Sequence, residues 1–183
     1  MAMIDLLHTE HAEIRDVLDV FEEQIGALTD DTGELELDVM RDAVEFLAKF
    51  PDNVHRDGEK LIYRLMMERD PDCHDLISSL SREHDELCRR AELLMENVED
   101  ICEDVLVPKD EFAQRASAFV ALQREHIHSE DRDLLPRARQ ALRPEDWRAI
   151  ARRLQERGEP IPHLGNDQKL YALEYRLQQR ASV

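Results

Sequence analysis

Apolar side chains recur three and four residues apart in four long stretches of the chain. This spacing is typical of a helix that buries one face against other helices. The stretches run from about Ile4 to Ile25, Leu35 to Glu68, Pro71 to Val105 and Asp110 to Leu142. The pattern therefore predicts four long amphipathic helices.

Turn-forming residues and prolines separate these stretches. A Thr29–Gly33 segment, the Asp70-Pro71 pair and Pro108 each end one helix, because Gly and Asp favour turns and Pro cannot continue a helix. Pro51 lies within the second stretch and predicts a kink or a short break there.

The expected fold is all-α. Four long helices with short connections predict an antiparallel up-down-up-down bundle over residues 1–142. Residues 143–183 are expected to form a C-terminal helical extension packed on or beside the bundle. Its first short helix begins near Pro144, and its last helix begins at about Asn166.

Charge and composition exclude several functions. The chain has 183 residues with 24 Lys+Arg and 42 Asp+Glu, a formal net charge of −18. Such an acidic chain repels nucleic acid and anionic lipid, so neither is expected as a partner.

No apolar run is long enough to span a membrane, and the N-terminus lacks the pattern of a signal peptide, which predicts a cytoplasmic location. Three cysteines without CxxC spacing indicate no disulfide framework.

The apolar face of each of the four predicted helices contains a histidine at a position where an apolar side chain is expected. Two of these histidines are followed by a glutamate four residues later, which places His and Glu above one another on one helix face. Four inward-facing helices would bring this set to one level of the core. The set is His11, His55, Glu59, His84, His126 and Glu130.

Such a set favours a metal site. Buried imidazole and carboxylate groups destabilise a core when isolated, but around cations they become ligands. The mixture of nitrogen and oxygen donors suits iron, with manganese or zinc as substitutes, and six ligands favour two ions over one tetrahedral zinc. A single histidine on an apolar face is more often a hydrogen-bonded core residue, so the interpretation depends on the whole set. A ferritin-like site is second choice, because its order is Glu-x-x-His.

The ordered segments LLHTEHAEI, HRDGEKLIYRL followed by ERDP, LSREHDEL and HIHSEDRDLLP resemble the hemerythrin-like, or HHE cation-binding, family. They span about residues 4–142, and the C-terminal segment resembles an extension of some bacterial members. The resemblance implies a four-helix bundle with a non-haem di-iron centre. It also implies that His11, His55, His84 and His126 are terminal iron ligands and that Glu59 and Glu130 bridge the ions.

The sequence departs from the oxygen-carrying members of that family, which have a fifth histidine four residues from the one on the third helix. Leu80 and Cys88 stand at those positions, and Arg56 stands where bacterial members often have a second histidine. His8 and Cys88 are further candidate ligands. The alternatives are a boundary histidine and a small buried side chain.

Two functional hypotheses follow. In the first, the resemblance implies an iron site that binds or reacts with O2, NO or peroxide, in sensing, storage or detoxification rather than bulk oxygen carriage. If the protein is an enzyme, it is then a peroxide- or NO-directed oxidoreductase. In the second, the chain is a regulatory or interaction module with a structural or sensory metal, and its C-terminal extension docks a partner or a second copy in a homodimer.

Overall fold

The computed structural model describes residues 2–29, 35–49, 54–157, 173 and 177–178, and all regular structure in them is helical. Two short elements join the helices: a 3-10 turn at Pro71–Cys73 and a π-helical turn at Glu130–Leu134. The helices are α1 (Ala2–Thr29), α2 (Leu37–Lys49), α3 (Val54–Arg69), α4 (His74–Cys102), α5 (Lys109–Ser129), α6 (Leu135–Ala141) and α7 (Pro144–Arg157).

The predicted all-α bundle is confirmed. Helix α1 packs against α2 and α5, and α4 packs against the same two helices, which closes a four-membered ring. Helices α1 and α5 are antiparallel: Arg124 near the end of α5 bonds Asp19 of α1, while Asp131 beyond it bonds His11 nearer the start of α1. The interruption predicted at Pro51 falls between α2 and α3, on residues outside the description.

The C-terminal end of α4 differs from the prediction. The apolar pattern was expected to continue to Val105, but α4 ends at Cys102, and Val105 is half-exposed. Asp104 adopts a left-handed conformation with φ of 60°. The Val105 N–H then donates to the Asp100 carbonyl at 2.8 Å and the Asp104 N–H donates to the Ile101 carbonyl at 3.3 Å, the pattern of a Schellman cap.

Glycine at position 104 is expected to stabilise the protein. A left-handed conformation strains any residue with a Cβ atom, and glycine adopts it without that cost. Asp104→Gly should therefore raise the free energy of unfolding by about 0.5–1 kcal/mol, measured by thermal denaturation. Glu103→Gly is the matched control, since Glu103 has φ of −94°, and it should lose stability. Equal effects at both positions would contradict the prediction.

Two apolar clusters fill the core. The larger core cluster joins α1, α2, α4 and α5 and includes Phe21, Phe46, Leu94, Phe112 and Phe119. The smaller core cluster joins the start of α1 and α4 to α3, α6 and α7 and includes Leu7, Ile62, Met66, Leu80 and Ile150.

The C-terminal extension contacts both clusters. Ile150 of α7 is buried in the smaller core cluster, and Asp146 at the start of α7 forms a bidentate pair with Arg69 of α3 at 2.9 and 3.1 Å. Leu173 is fully buried in the larger core cluster. The rest of the predicted last helix, apart from residues 177–178, lies outside the described residues. The domain boundary at residue 142 stays a prediction.

None of the helices in the described part of the chain combines the length and hydrophobicity that crossing a membrane requires.

Candidate metal centre

A layer of buried ionisable side chains separates the two apolar clusters. On α1, Leu7 belongs to the smaller core cluster and Ile14 to the larger one, and His11 lies between them. Four other predicted site residues lie at this level, and none of the five is more than 8% exposed. The polar layer consists of His11, Glu59, His84, His126 and Glu130.

Each glutamate of the polar layer directs its two carboxylate oxygens to different histidines. Glu59 Oε2 lies 3.0 Å from His84 Nε2, and Glu59 Oε1 lies 3.7 Å from His11 Nε2. Glu130 Oε1 lies 3.6 Å from His126 Nε2, and its Oε2 lies 3.3 Å from His11 Nε2. Both carboxylates therefore span the gap between α1 on one side and α4 and α5 on the other.

Two groups of three donor atoms can each surround a cation. One group is formed by His84, His126 and Glu130, the other by His11, Glu59 and Glu130, and within each group the donor atoms lie within 4.8 Å of one another. Glu130 belongs to both groups. The arrangement provides two adjacent sites that share a carboxylate.

The contacts inside the polar layer leave donor atoms that a proton or a cation would satisfy. The Nε2 atoms of His84 and His126 are only 2.9 Å apart, where two lone pairs repel unless a proton or a cation lies between them. The Glu130 Oε2 atom is buried and makes no hydrogen bond with any described residue. A buried carboxylate oxygen beside imidazole nitrogens is a donor that a metal ion satisfies. The residues fit a bound cation.

Two acidic side chains outside the polar layer orient its histidines. His11 Nδ1 donates to Asp131 Oδ1 at 2.7 Å, and His126 Nδ1 donates to Glu83 Oε2 at 2.9 Å. A proton held at Nδ1 leaves the lone pair at Nε2, and that atom faces the centre of the layer. Arg15 bonds the second oxygen of Asp131 and holds this carboxylate in place.

The same contacts set the charge of these groups. Burial by itself lowers the pKa of His11, but the neighbouring carboxylates Asp131, Glu130 and Glu59 outweigh it and hold this pKa well above its ordinary value. Burial would raise the pKa of Asp131, yet His11 and Arg15 lower it to about 2. The layer therefore stabilises positive charge at its centre, supplied by a proton or by a metal ion.

Tyr63 adds a hydrogen-bond donor from α3. Its hydroxyl donates to Glu130 Oε1 at 2.5 Å, and its ring stacks on His84 with a centroid separation of 5.9 Å. Burial and the neighbouring carboxylates Glu130 and Glu59 raise the pKa of the phenol far above its ordinary value. Tyr63 is therefore a neutral donor to the carboxylate that both groups share.

A π-helical turn places Glu130 and Asp131 on different sides of His11. The sequence predicted one continuous helix from Asp110 to Leu142, but the Leu135 N–H donates to the Glu130 carbonyl, five residues earlier. The wider turn lets Glu130 point into the layer while the next residue, Asp131, reaches the outer nitrogen of His11. Such turns are frequent at functional sites.

A family model described as the hemerythrin HHE cation binding domain matches residues 2–138. The chain belongs to this family. The match contains every residue of the polar layer, together with His55, Glu83 and Asp131. No curated protein and no solved structure matches the chain.

Five of the six sequence-predicted site residues of this HHE domain are thus brought together. The sixth, His55, belongs to α3, but its side chain lies outside the described residues. That all six bind metal ions stays a prediction. The orienting residues Glu83 and Asp131 were missed. Glu83 directly precedes His84, and a carboxylate beside a ligand histidine was the available signal.

The additional candidates lie outside the two donor groups. His8 is half-exposed, and its Nε2 atom is 3.7 Å from Asp131 Oδ1. Cys88 is half-buried and accepts a hydrogen bond from Arg56 Nη1 at 2.9 Å. Neither residue is part of a donor group among the described residues.

Proposed function

We propose that this HHE domain holds two iron ions in its polar layer and that their open coordination positions bind or react with O2, NO or peroxide. The observation that carries the proposal is the direction of the carboxylate oxygens: Glu59 and Glu130 each face His11 on one side and His84 or His126 on the other. A carboxylate in this position can bridge two cations and offset their charge. Imidazole and carboxylate together suit iron.

The proposed ligands divide between the two ions. His11 and His55 would hold one ion and His84 and His126 the other, and Glu59 and Glu130 would be ligands shared by both. His55 lies one helical turn before Glu59 in the sequence of α3.

Open coordination distinguishes this site from an oxygen carrier. Two histidines and one oxygen from each carboxylate would give each ion four protein ligands, fewer than the roughly six positions of an octahedral site. The positions one turn from His84 are occupied by Leu80 and Cys88 rather than by a fifth histidine. More than one position is then open to small ligands, which favours sensing, storage or detoxification over bulk oxygen carriage.

Bound iron would supply one-electron redox chemistry and affinity for small ligands. The chain's own residues prepare the site for it. Asp131 and Glu83 aim the Nε2 atoms of His11 and His126 inward, and Tyr63 donates to the shared carboxylate. The apolar clusters above and below exclude water. If turnover occurs, the reaction would be a peroxide- or NO-directed oxidation or reduction. The cytoplasmic location and the homodimer stay predictions.

Optical spectra of the iron-loaded protein test the reactivity. The oxidised protein should show near-ultraviolet charge-transfer bands that shift on adding azide or peroxide, and the reduced protein should form a nitrosyl spectrum with NO. A colourless, zinc-loaded protein with no response would contradict the proposal. It would instead favour the regulatory module with a structural metal.

The carboxylate of Asp131 is expected to strengthen metal binding through His11. Asp131→Asn removes the charge that orients and polarises the imidazole, and loss of such a partner typically weakens metal affinity about 10–100-fold. Chelator competition measures the change. Asp133→Asn is the matched control, since Asp133 belongs to the same π turn but pairs with Arg132 at the surface. Equal affinity of the Asp131 variant and the wild type would contradict this role.

A further inference from the structure

A cleft between α3 and α7 concentrates positive side chains on an acidic protein. Two adjacent cavities of about 330 and 300 Å³ lie along the line where these helices meet, and they share Arg64 and Arg153. Lys60 lines one cavity and Arg152 lines the other. We call the two cavities together the basic cleft. Its size falls in the range of small-molecule sites.

The four positively charged side chains of the basic cleft lack the carboxylate partners that most described arginines of this chain have. None of them forms an ion pair or a side-chain hydrogen bond with any described residue, although the chain carries a net charge of −18. Elsewhere in the described residues, arginines are largely neutralised by carboxylates. Those in ion pairs are Arg15, Arg41, Arg56, Arg69, Arg89, Arg90, Arg115, Arg124, Arg132 and Arg137.

The basic cleft has apolar walls as well as cations. Leu61 and Leu65 of α3 and Ile150 and Leu154 of α7 line it. Its other charged lining residues, Asp57 and Glu156, each reach only one of the two cavities, whereas Arg64 and Arg153 reach both. An apolar wall below several guanidinium groups suits a ligand with an apolar body and an anionic group.

We propose that the basic cleft binds a small molecule that carries a phosphoryl group on an apolar body. Guanidinium groups from two helices can approach a tetrahedral group with three oxygens from several sides, and each can donate two parallel hydrogen bonds. A flat carboxylate has only two oxygens and a single charge. The site is separate from the metal centre, since Lys60 and Arg64 are exposed whereas Glu59 and Tyr63 of the same helix are buried in the core.

Calorimetric titration of the metal-loaded full chain with phenyl phosphate tests the proposal. Saturable binding with one molecule per chain is expected. Arg64→Gln and Arg153→Gln should each weaken it at least about tenfold, since each substitution removes charge-assisted hydrogen-bond donors to the phosphoryl group. Benzoate at equal ionic strength should bind more weakly than phenyl phosphate. Because the substituted arginines are exposed and have no ion-pair partner among the described residues, the variants should keep the wild-type melting temperature.

Arg148→Gln is the matched control. Arg148 of α7 is also exposed and pairs with no described carboxylate, but it does not line the basic cleft, so this variant should bind within about twofold of the wild type. Four results would overturn the proposal: no saturation below about 1 mM, equal weakening by Arg148→Gln, tighter binding of a short polyglutamate peptide, or unchanged binding by Arg64→Gln. The last would place the phosphoryl group away from Arg64, outside the basic cleft.

Discussion

Glu130→Gln is expected to abolish binding of the metal pair while leaving the bundle folded. Glu130 belongs to both donor groups, and its two oxygens face different histidines, so one substitution removes a charged ligand from both sites. An amide keeps the size and can still accept the Tyr63 hydrogen bond, but it offers one oxygen and no charge. Metal affinity should fall by more than about 100-fold, beyond the loss expected for an orienting residue.

Chelator competition and the metal-dependent rise in melting temperature measure this effect. A bound ligand stabilises the folded state according to its concentration relative to Kd, so the rise should vanish in the variant. Glu125→Gln is the matched control, since Glu125 is exposed on α5, the helix that leads into the π-helical turn of Glu130. Helix content measured by circular dichroism reports on folding. Wild-type affinity of Glu130→Gln for both ions would contradict the shared role of this carboxylate.

Phe21→Ala is expected to cost about 3–5 kcal/mol of the free energy of unfolding. Phe21 is fully buried in the larger core cluster, away from the polar layer, and truncation leaves a cavity that the surrounding helices cannot fill. Single domains have only about 5–15 kcal/mol in total, so this is a large fraction. Urea denaturation of the metal-free protein measures the loss without a contribution from metal binding.

Leu93→Ala provides the comparison for the core substitution. Leu93 is 40% exposed on α4, so its truncation should change the free energy of unfolding by no more than about 0.5 kcal/mol. A loss below about 1 kcal/mol for Phe21→Ala would show that the position is not tightly packed.

Periodicity predicts the helices and the level of the polar layer because both depend on the spacing of residues along a straight helix. A histidine on the apolar face of a helix must face the core of any bundle in which those apolar faces are buried. His11, His84 and His126 accordingly meet in one buried layer. The same reasoning places Glu59 and Glu130 on the inner faces, one turn after His55 and His126.

What the sequence pattern did not predict depends on departures from a straight helix. Asp131 bonds His11 from within the π turn, where the helix is wider than a regular α-helix. Pro136, which lacks an N–H, weakens the helical hydrogen bonding nearby and is the available signal. The end of α4 likewise depends on the left-handed conformation of Asp104, while the apolar pattern continues past it to Val105.

The metal content of the purified protein tests the central claim most directly. The chain, purified without oxygen from iron-supplied cells, should contain two iron ions per molecule, matching its two adjacent donor groups. Glu125→Gln should contain the same amount and Glu130→Gln almost none. Zinc in place of iron, a single ion per chain, or no metal in the wild-type protein would contradict the di-iron account.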